Sequence, residues 1–322
     1  MRAVQVSRLD GPDAVELVDV PEPEARPDQI VIDTHVAGVN FPDVLLTKGE
    51  YQMRPNPPFV PGSEISGVVR SAPEASAFSA GDRVVAFPGL GGFAETAVAD
   101  EIAVFALPDG VSFEAGAAMP MNFLTVHFAL LKRGRLQPGE TVLVHGAAGG
   151  IGTAAIQVAK AFGARVIAVV SSDEKRDVAR AAGADEVIGV EGFKDGAKEL
   201  TGGKGVNIVL DPVGGDRFTD SLRSLAVEGR LLVVGFTGGE IPTVKVNRLL
   251  LNNVDVVGVG WGAFWLRDPA YLQSQWDDLV PMLVDGRLDP PIGATYPFDK
   301  AADALNEIGD RRARGKILLL AR

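Results

Sequence analysis

The 322-residue chain contains no cysteine. This absence excludes disulfides, thiolate nucleophiles and every zinc site with a cysteine ligand, and it fits a reducing compartment such as the cytoplasm. Histidine is scarce as well: His35, His127 and His145 are the three, and none forms an H-x-x-x-H pair. No metal centre is therefore expected. Aromatic residues make up only 7% of the chain.

Positive charge is also in short supply. There are 31 basic against 42 acidic residues, for a net charge of −11. Because excess negative charge repels phosphate backbones and anionic lipid, nucleic-acid and membrane partners are disfavoured. The N-terminal residues 1–6 read as a strand rather than a targeting signal. The uncharged window 141–159 approaches membrane-spanning length, but its four glycines favour a strand-to-helix turn. A cytoplasmic protein is expected.

The length predicts about two domains. The first 110 residues are β-rich, with strand candidates at 29–36, 64–70 and 82–87, and residues 115–135 look helical. From residue 141 apolar strands alternate with helices, which predicts an α/β unit with a parallel sheet covered on both faces. Its predicted strands are 141–145, 165–170, 186–188, 206–210, 230–235 and 254–258, with helices at 153–162, 175–182 and 217–225. The tail adds a helix from residue 271 and a final strand at 316–320.

The strongest local signal is the run TVLVHGAAGGIG at 141–152. Ala147, Gly149 and Gly152 occupy the three positions of the dinucleotide fingerprint, with alanine in place of the first glycine. The amides that open the following helix would then face a pyrophosphate. The alternative is a tight turn without a ligand. The backbone predicted to contact the cofactor is that of Ala148, Gly149, Gly150, Ile151 and Gly152.

The next predicted strand ends at Ser171 and Ser172, where an NAD enzyme would place a carboxylate on the ribose. A carboxylate about 4 Å from a 2′-phosphate would cost about 4 kcal/mol at an effective dielectric constant of about 20. The serines remove that penalty, and Lys175 and Arg176 add attraction. The pattern favours NADPH. Alternatively, the two bases are a solvated helix face and Asp173 binds the ribose.

Taken together, these features resemble the medium-chain dehydrogenase/reductase superfamily, and within it the zinc-free quinone oxidoreductase (zeta-crystallin-like) branch. The resemblance covers nearly the whole chain. Its most specific segments are GETVL (139–143), AAGGIG (147–152) and QVAK (157–160), supported by AGVNFPD (37–43), PGSE (61–64), DPVGG (211–215) and NNVDVVG (252–258).

The resemblance implies a GroES-like β-barrel catalytic domain over 1–119 and a Rossmann-type, doubly wound NADP-binding domain over 120–260. Residues 261–322 are expected to return to the barrel, and the cofactor to lie in a cleft between the domains. The segment 254–258 is expected to pair across a two-fold axis in a homodimer.

Zinc relatives in this superfamily carry a cysteine where Asn40 stands and a histidine where Ser63 stands. They also carry a four-cysteine lobe where this chain reads PGLGGF at 88–93. The comparison therefore implies a protein without zinc. Since an alcohol dehydrogenase of this type polarises its alkoxide with a metal, that activity is disfavoured.

Hydride transfer from NADPH to a quinone requires little more than orientation and a few hydrogen-bond donors. The candidate catalytic residues are Asn40, Asp43 and Tyr51, and Asn40 is also a candidate cofactor contact. Tyr51 lies in a Gly-x-Tyr setting used by related enoyl-thioester reductases, so reduction of an enoyl thioester or another α,β-unsaturated carbonyl is the alternative. From a different class, a crystallin-like or RNA-binding role is the second alternative. The resemblance further implies cofactor contacts from Thr125, Asp211, Gly235, Phe236, Trp261, Arg311 and Lys316.

Overall fold

The computed structural model describes residues 1–321. Its strands are β1 (Arg2–Val6), β2 (Val15–Asp19), β3 (Gln29–Val39), β4 (Glu64–Ser71), β5 (Arg83–Ala86), β6 (Thr96–Asp100), β7 (Val104–Ala106), β8 (Thr141–Val144), β9 (Arg165–Val170), β10 (Glu186–Gly189), β11 (Val206–Asp211), β12 (Leu225–Val233), β13 (Asp255–Gly258), β14 (Ile292–Pro297) and β15 (Lys316–Leu320).

The α-helices, again within residues 1–321, are α1 (Phe41–Thr47), α2 (Phe113–Ala117), α3 (Thr125–His127), α4 (Gly150–Ala161), α5 (Asp173–Ala181), α6 (Phe193–Leu200), α7 (Phe218–Ser224), α8 (Asn247–Asn252), α9 (Trp261–Trp265), α10 (Ala270–Val284) and α11 (Ala301–Gly309). Two π-helical turns, Pro120–Leu124 and Phe128–Arg133, flank α3.

The chain divides into two compact units. The first unit comprises Met1–Met121, Asp268–Val284 and the chain from Ile292 to the end of the described residues. The second unit comprises Asn122–Arg267 and Asp285–Pro291.

The second unit is built on a parallel sheet with the order β10-β9-β8-β11-β12-β13. This is the doubly wound order 3-2-1-4-5-6, which reverses between β8 and β11. Its central strands contain apolar runs, and side chains such as Leu143, Ile167 and Leu231 are fully buried. Burial on both faces is what a parallel sheet covered by helices requires. The predicted α/β fold is confirmed.

The first unit is dominated by a mostly antiparallel sheet with the order β14-β15-β3-β4-β5-β7, and β6 also pairs with β3. The long strand β3 alternates half-buried and buried positions along its first eight residues, as one core-facing side requires. Ile30, Ile32 and Ile65 lie in the core with Phe93. The last strand, β15, pairs with β3 in antiparallel register, so the C-terminal segment belongs to this unit.

Several elements differ from the sequence prediction. Helix α4 begins at Gly150 rather than at residue 153. Strand β12 starts five residues earlier than predicted, because Leu225 already pairs with Val206. The register then shifts before Ile208 pairs with Arg230, and Glu228 in this irregular part of the strand has φ 61°. Strand β14 and helix α11 were not predicted from the sequence. None of the helices within residues 1–321 is long and apolar enough to cross a membrane.

Candidate functional site

The glycine turn of the second unit joins β8 to α4 at the point where the strand order reverses. A Cβ on Gly152 would lie 2.6 Å from the Cα of Ala147, so this position requires glycine for close packing of helix against turn. At Gly149 the nearest atom to such a Cβ is 3.5 Å away, so the backbone there is open to a ligand. The first intrahelical bond comes from Thr153 N to Gly149 O. The backbone amides before Thr153 therefore make no i→i−4 bond within the helix, as an anion site at a helix N-terminus requires.

The carboxyl end of β9 places both predicted serines on the surface, with Ser171 followed directly by Ser172. The Lys175 ammonium lies 3.4 Å from Ser171 Oγ, so a basic group and a hydroxyl lie side by side at the end of β9. Arg176 is directed elsewhere: its guanidinium donates to Asp173 Oδ1 at 2.9 Å and to Val187 O at 2.8 Å. Arg176 therefore holds α5 against β10.

Asp211 ends β11, next to the glycine turn in the sheet. Its Oδ1 accepts the amides of Val213 and Gly214 at 2.8 and 3.0 Å, while its buried Oδ2 has no hydrogen-bond partner among residues 1–321. Burial raises the pKa of this carboxyl. The following loop is tied to the loop after β12, because Thr237 N donates to Pro212 O at 3.1 Å.

The other predicted cofactor contacts of the second unit lie in varied settings. Gly235 and Phe236 form the loop after β12, and the Phe236 side chain is 36% exposed. Trp261 is buried and opens helix α9. Thr125 is half-buried in α3.

His145 is a structural residue. Its ring is fully buried, and Nε2 lies 2.8 Å from Ser221 Oγ. Since that hydroxyl donates to Arg217 O, the ring nitrogen is the donor to it. Burial, reinforced by the charge of Arg217, lowers the pKa of His145 to about 3, so the ring is neutral at physiological pH.

A cluster of buried polar side chains lies in the first unit. Asn40 Nδ2 donates to Glu64 Oε1 at 2.7 Å, and Asn40 Oδ1 accepts from Lys316 Nζ at 2.6 Å. Lys316 also forms a salt bridge with Glu64, and both side chains are at most 3% exposed. Met121 N donates to the second carboxylate oxygen of Glu64 at 2.6 Å. We call Asn40, Glu64 and Lys316 the buried triad.

Asp43 lies beside the triad and stabilises the start of α1. Its Oδ2 accepts from Asn40 N at 2.8 Å and its Oδ1 from Gly62 N at 3.3 Å, so it caps the helix. Its complete burial raises the pKa of Asp43 to about 7. Burial, followed by the nearby Asp43 charge, also raises the pKa of Tyr51, which keeps the phenol protonated.

Of the five residues predicted in the first unit, the structure brings Asn40, Asp43 and Lys316 together, with Tyr51 near enough to sense the Asp43 charge. Arg311 is exposed and follows α11 with φ 60°. Sequence reasoning missed Glu64 as a site residue. The signal that could have found it is its acidic charge inside an otherwise buried strand, because a buried carboxylate needs a partner.

The residues present do not fit a zinc ion. Within residues 1–321 there is no group of three or more His, Cys, Asp or Glu side chains arranged to hold a metal. At the two positions where zinc relatives carry ligands, Asn40 is engaged by Lys316 and Glu64, and Ser63 Oγ is buried without a partner in the described chain.

A doubly wound sheet with a glycine turn at its switch point, together with a barrel-type unit, defines a nucleotide-dependent dehydrogenase or reductase. The family models agree with this class: "Alcohol dehydrogenase GroES-like domain" matches residues 26–109 and "Zinc-binding dehydrogenase" matches residues 150–285.

Comparison with individual proteins narrows the class. The chain is 39% identical to quinone oxidoreductase-like protein 2 of Bos taurus over 322 residues, covering 99% of this chain and 92% of the relative. It is similar to a probable oxidoreductase from Mycobacterium abscessus (44% identity, TM-score 0.92, 99% and 98% covered). It is also similar to the quinone oxidoreductase of Thermus thermophilus, whose structure was determined with NADPH (38% identity, TM-score 0.86, 99% and 100% covered). The chain belongs to the zinc-free quinone oxidoreductase branch of the medium-chain dehydrogenase/reductase superfamily, an enzyme family.

Proposed function

We propose that this protein is an NADPH-dependent reductase of quinones that works without a metal. The observation that carries the cofactor assignment is the pairing of Ser171 with Lys175 at the end of β9, where a hydroxyl and an ammonium can receive a 2′-phosphate. The Thermus thermophilus relative, which was crystallised with NADPH, supports the same choice.

The glycine turn would hold the pyrophosphate, with Gly149 admitting it and the first amides of α4 donating to it. When bound, NADPH supplies a hydride. The hydride would bring two electrons and one hydrogen to the quinone, and the one proton that completes the hydroquinone would come from solvent or from Tyr51. The protein's own part is to orient the acceptor and to donate hydrogen bonds to the oxygen on which charge develops. Asn40 and Tyr51 are the proposed donors, with Asp43 orienting them.

A second activity is favoured by one observation. Burial and the nearby charge of Asp43 raise the pKa of Tyr51. A phenol beside Asp43, protonated at neutral pH as any tyrosine is, suits reduction of an α,β-unsaturated acyl thioester or ketone, in which carbon must receive a proton. We place the protein in the cytoplasm, to which the lack of cysteine lends support.

The test is the initial rate of NADPH oxidation by the purified protein in EDTA, with a 1,4-quinone and a crotonyl thioester in parallel. We expect quinone turnover that EDTA does not diminish, and little thioester turnover. Faster thioester turnover would assign the enoyl reductase activity instead. If neither acceptor is reduced, the proposal fails, and salt-dependent retention on RNA would then support a binding role.

A matched pair of variants shows whether turnover comes from this site. Gly152→Ala places a Cβ against Ala147 and should abolish NADPH binding and turnover together. Gly196→Ala, in α6, puts its Cβ at an ordinary 3.6 Å from Ile188 and should behave as wild type.

We also propose a homodimer. Strand β13 is an edge of the parallel sheet, and beside it Val246, Leu250 and Leu251 are 72–76% exposed. An unpaired edge flanked by exposed apolar side chains suits pairing with a second copy of this chain.

A further inference from the structure

The side-chain amide of Asn40 is held in one orientation by two opposite charges. An ammonium offers only donors and a carboxylate only acceptors, so the Asn40 oxygen must face Lys316 and its nitrogen must face Glu64. The observed contacts follow that rule, at 2.6 Å to Lys316 Nζ and 2.7 Å to Glu64 Oε1. An asparagine that opens a helix usually caps it with this oxygen. Here the side-chain oxygen of Asn40 accepts a hydrogen bond from Lys316, and the carboxylate of Asp43 accepts one from the Asn40 backbone amide.

The surroundings of the triad are shaped for this arrangement. A Cβ on Gly38 would lie 2.7 Å from Glu64 Cγ and 2.7 Å from Ala117 O, so glycine lets the carboxylate lie against strand β3. The other oxygen of Glu64 is fixed by Met121 N. Both oxygens of the Glu64 carboxylate therefore already have hydrogen-bond partners.

The second hydrogen of Asn40 Nδ2 is the one that remains loosely engaged. Its partner is Gly38 O at 3.4 Å, which is long for a hydrogen bond, so a ligand oxygen can share it. Lys316, by contrast, is 3% exposed, and its ammonium donates two hydrogen bonds inside the triad.

We infer that Lys316, together with Glu64, is a positioning residue: the pair fixes the amide of Asn40 so that its loosely held Nδ2 hydrogen is presented to the oxygen of the acceptor. This inference rests on the proposed reductase function. It gives Lys316 a role through Asn40, in place of the direct cofactor contact expected from the sequence.

The test removes the charges without leaving one unpaired. In the double variant E64Q/K316M, Met121 N still requires an oxygen from the new amide at position 64. The nitrogen of that new amide then faces Asn40, and the Asn40 amide has to reverse. We expect kcat to fall about 100- to 1000-fold, the order expected for loss of one preorganised donor, while the Kd for NADPH stays within about twofold of wild type.

A mutant cycle separates positioning from simple loss of packing. N40A should lower kcat as much as E64Q/K316M does, and the triple variant N40A/E64Q/K316M should lower it no further. If the losses in kcat of N40A and of E64Q/K316M multiply in the triple variant, the inference is overturned. It is also overturned if the double variant keeps wild-type kcat. The control is E140Q/R230M, which removes the half-buried bidentate pair of the second unit and should leave kcat unchanged.

Two further measurements keep the inference falsifiable. Should E64Q/K316M not fold, N40D/E64Q keeps one carboxylate beside Lys316 but removes the amide donor, and it should match N40A in kcat; wild-type kcat there would refute the assignment. The Asn40 side-chain NH₂ signals, identified in NMR spectra by their loss in N40A, should shift in E64Q/K316M, and unchanged signals would contradict the inference. A wild-type protein that reduces no quinone would overturn the proposed function, and these signals would still decide whether the charges fix Asn40.

Discussion

Gln157 and Asp289 are 132 positions apart and form a reciprocal pair of hydrogen bonds. The amide nitrogen of Gln157, in α4, donates to Asp289 O at 2.6 Å, and Asp289 N donates back to Gln157 Oε1 at 2.9 Å. The Gln157 side chain thus ties the segment Asp285–Pro291 to the helix that follows the glycine turn. The sequence marked Gln157 only as part of the QVAK segment.

Replacing Gln157 by leucine should destabilise the second unit. Two backbone groups of Asp289 would lose their partners in a half-buried setting, at a cost of about 1–3 kcal/mol in the free energy of unfolding. Urea denaturation measures this directly. The control Gln273→Ala removes an exposed amide that donates to Asp277 and should change stability by less than about 0.5 kcal/mol. Equal effects of the two substitutions would contradict the structural role.

Ser171→Asp should shift cofactor preference from NADPH towards NADH. The new carboxylate would repel the 2′-phosphate and compete for Lys175, and we expect the ratio of kcat/KM for NADPH over NADH to fall about 100- to 1000-fold. Asp177→Asn removes an exposed charge from α5, the helix that carries Lys175, and should leave the ratio unchanged. If the NADPH/NADH ratio of kcat/KM is unaltered in Ser171→Asp, Ser171 and Lys175 do not form the 2′-phosphate site.

Asp43 should make stability depend on pH between about 4 and 7. Its folded-state pKa is raised from 3.8 to about 7 by burial, so the folded state holds this proton more tightly than the unfolded state. Its contribution is complete below pH 4 and is lost as the pH rises through 7, at about 1.4 kcal/mol per pH unit. The charges of Lys316 and Glu64 act on the same carboxyl.

The measurement is the free energy of unfolding of wild type and Asp43→Asn at pH 5 and pH 8. Relative to the variant, the wild type should lose up to about 3 kcal/mol over that interval. Asp28→Asn, at an exposed position, should differ from wild type by the same amount at both pH values. Parallel curves for wild type and Asp43→Asn would show that Asp43 ionises normally in the folded protein.

Tyr51→Phe distinguishes a proton donor from a positioning residue. If the phenol delivers a proton to carbon, reduction of a crotonyl thioester should slow about 100-fold or more, whereas quinone reduction should slow only a few-fold. Comparable losses on both acceptors would mean that Tyr51 only orients them. Tyr271→Phe, whose phenol has its pKa raised to about 12 by burial, is a control for loss of a partly buried hydroxyl and should treat both acceptors alike.

Charged residues beside β13 should break the proposed dimer. The double substitution Leu250→Lys and Leu251→Lys places two like charges of each protomer at the edge, and the mass from light scattering should fall from dimer to monomer. Val284→Lys changes a side chain that is 61% exposed in the first unit and should leave the mass unchanged. A monomeric wild type at micromolar concentration would refute the proposal.

The amino-acid sequence by itself determined the α/β class, the parallel sheet and the glycine turn. These features depend on local patterns: apolar runs of strand length, a helix after each, and a glycine where packing excludes Cβ at Gly152. It also placed Ser171 and Ser172 at the end of the second predicted strand of that sheet, with Lys175 and Arg176 just beyond them.

Only the tertiary structure decided the rest. Asn40, Glu64 and Lys316 lie on a helix start, a strand start and the last strand, and no sequence spacing predicts that Lys316 pairs with Glu64 across 252 positions. Strand β14 escaped prediction because its side chains are mostly exposed and leave little apolar alternation. Asp43 has its raised pKa because other elements bury it completely. Burial and charge pairing of this kind are properties of the folded chain, since they arise from contacts between segments far apart in sequence.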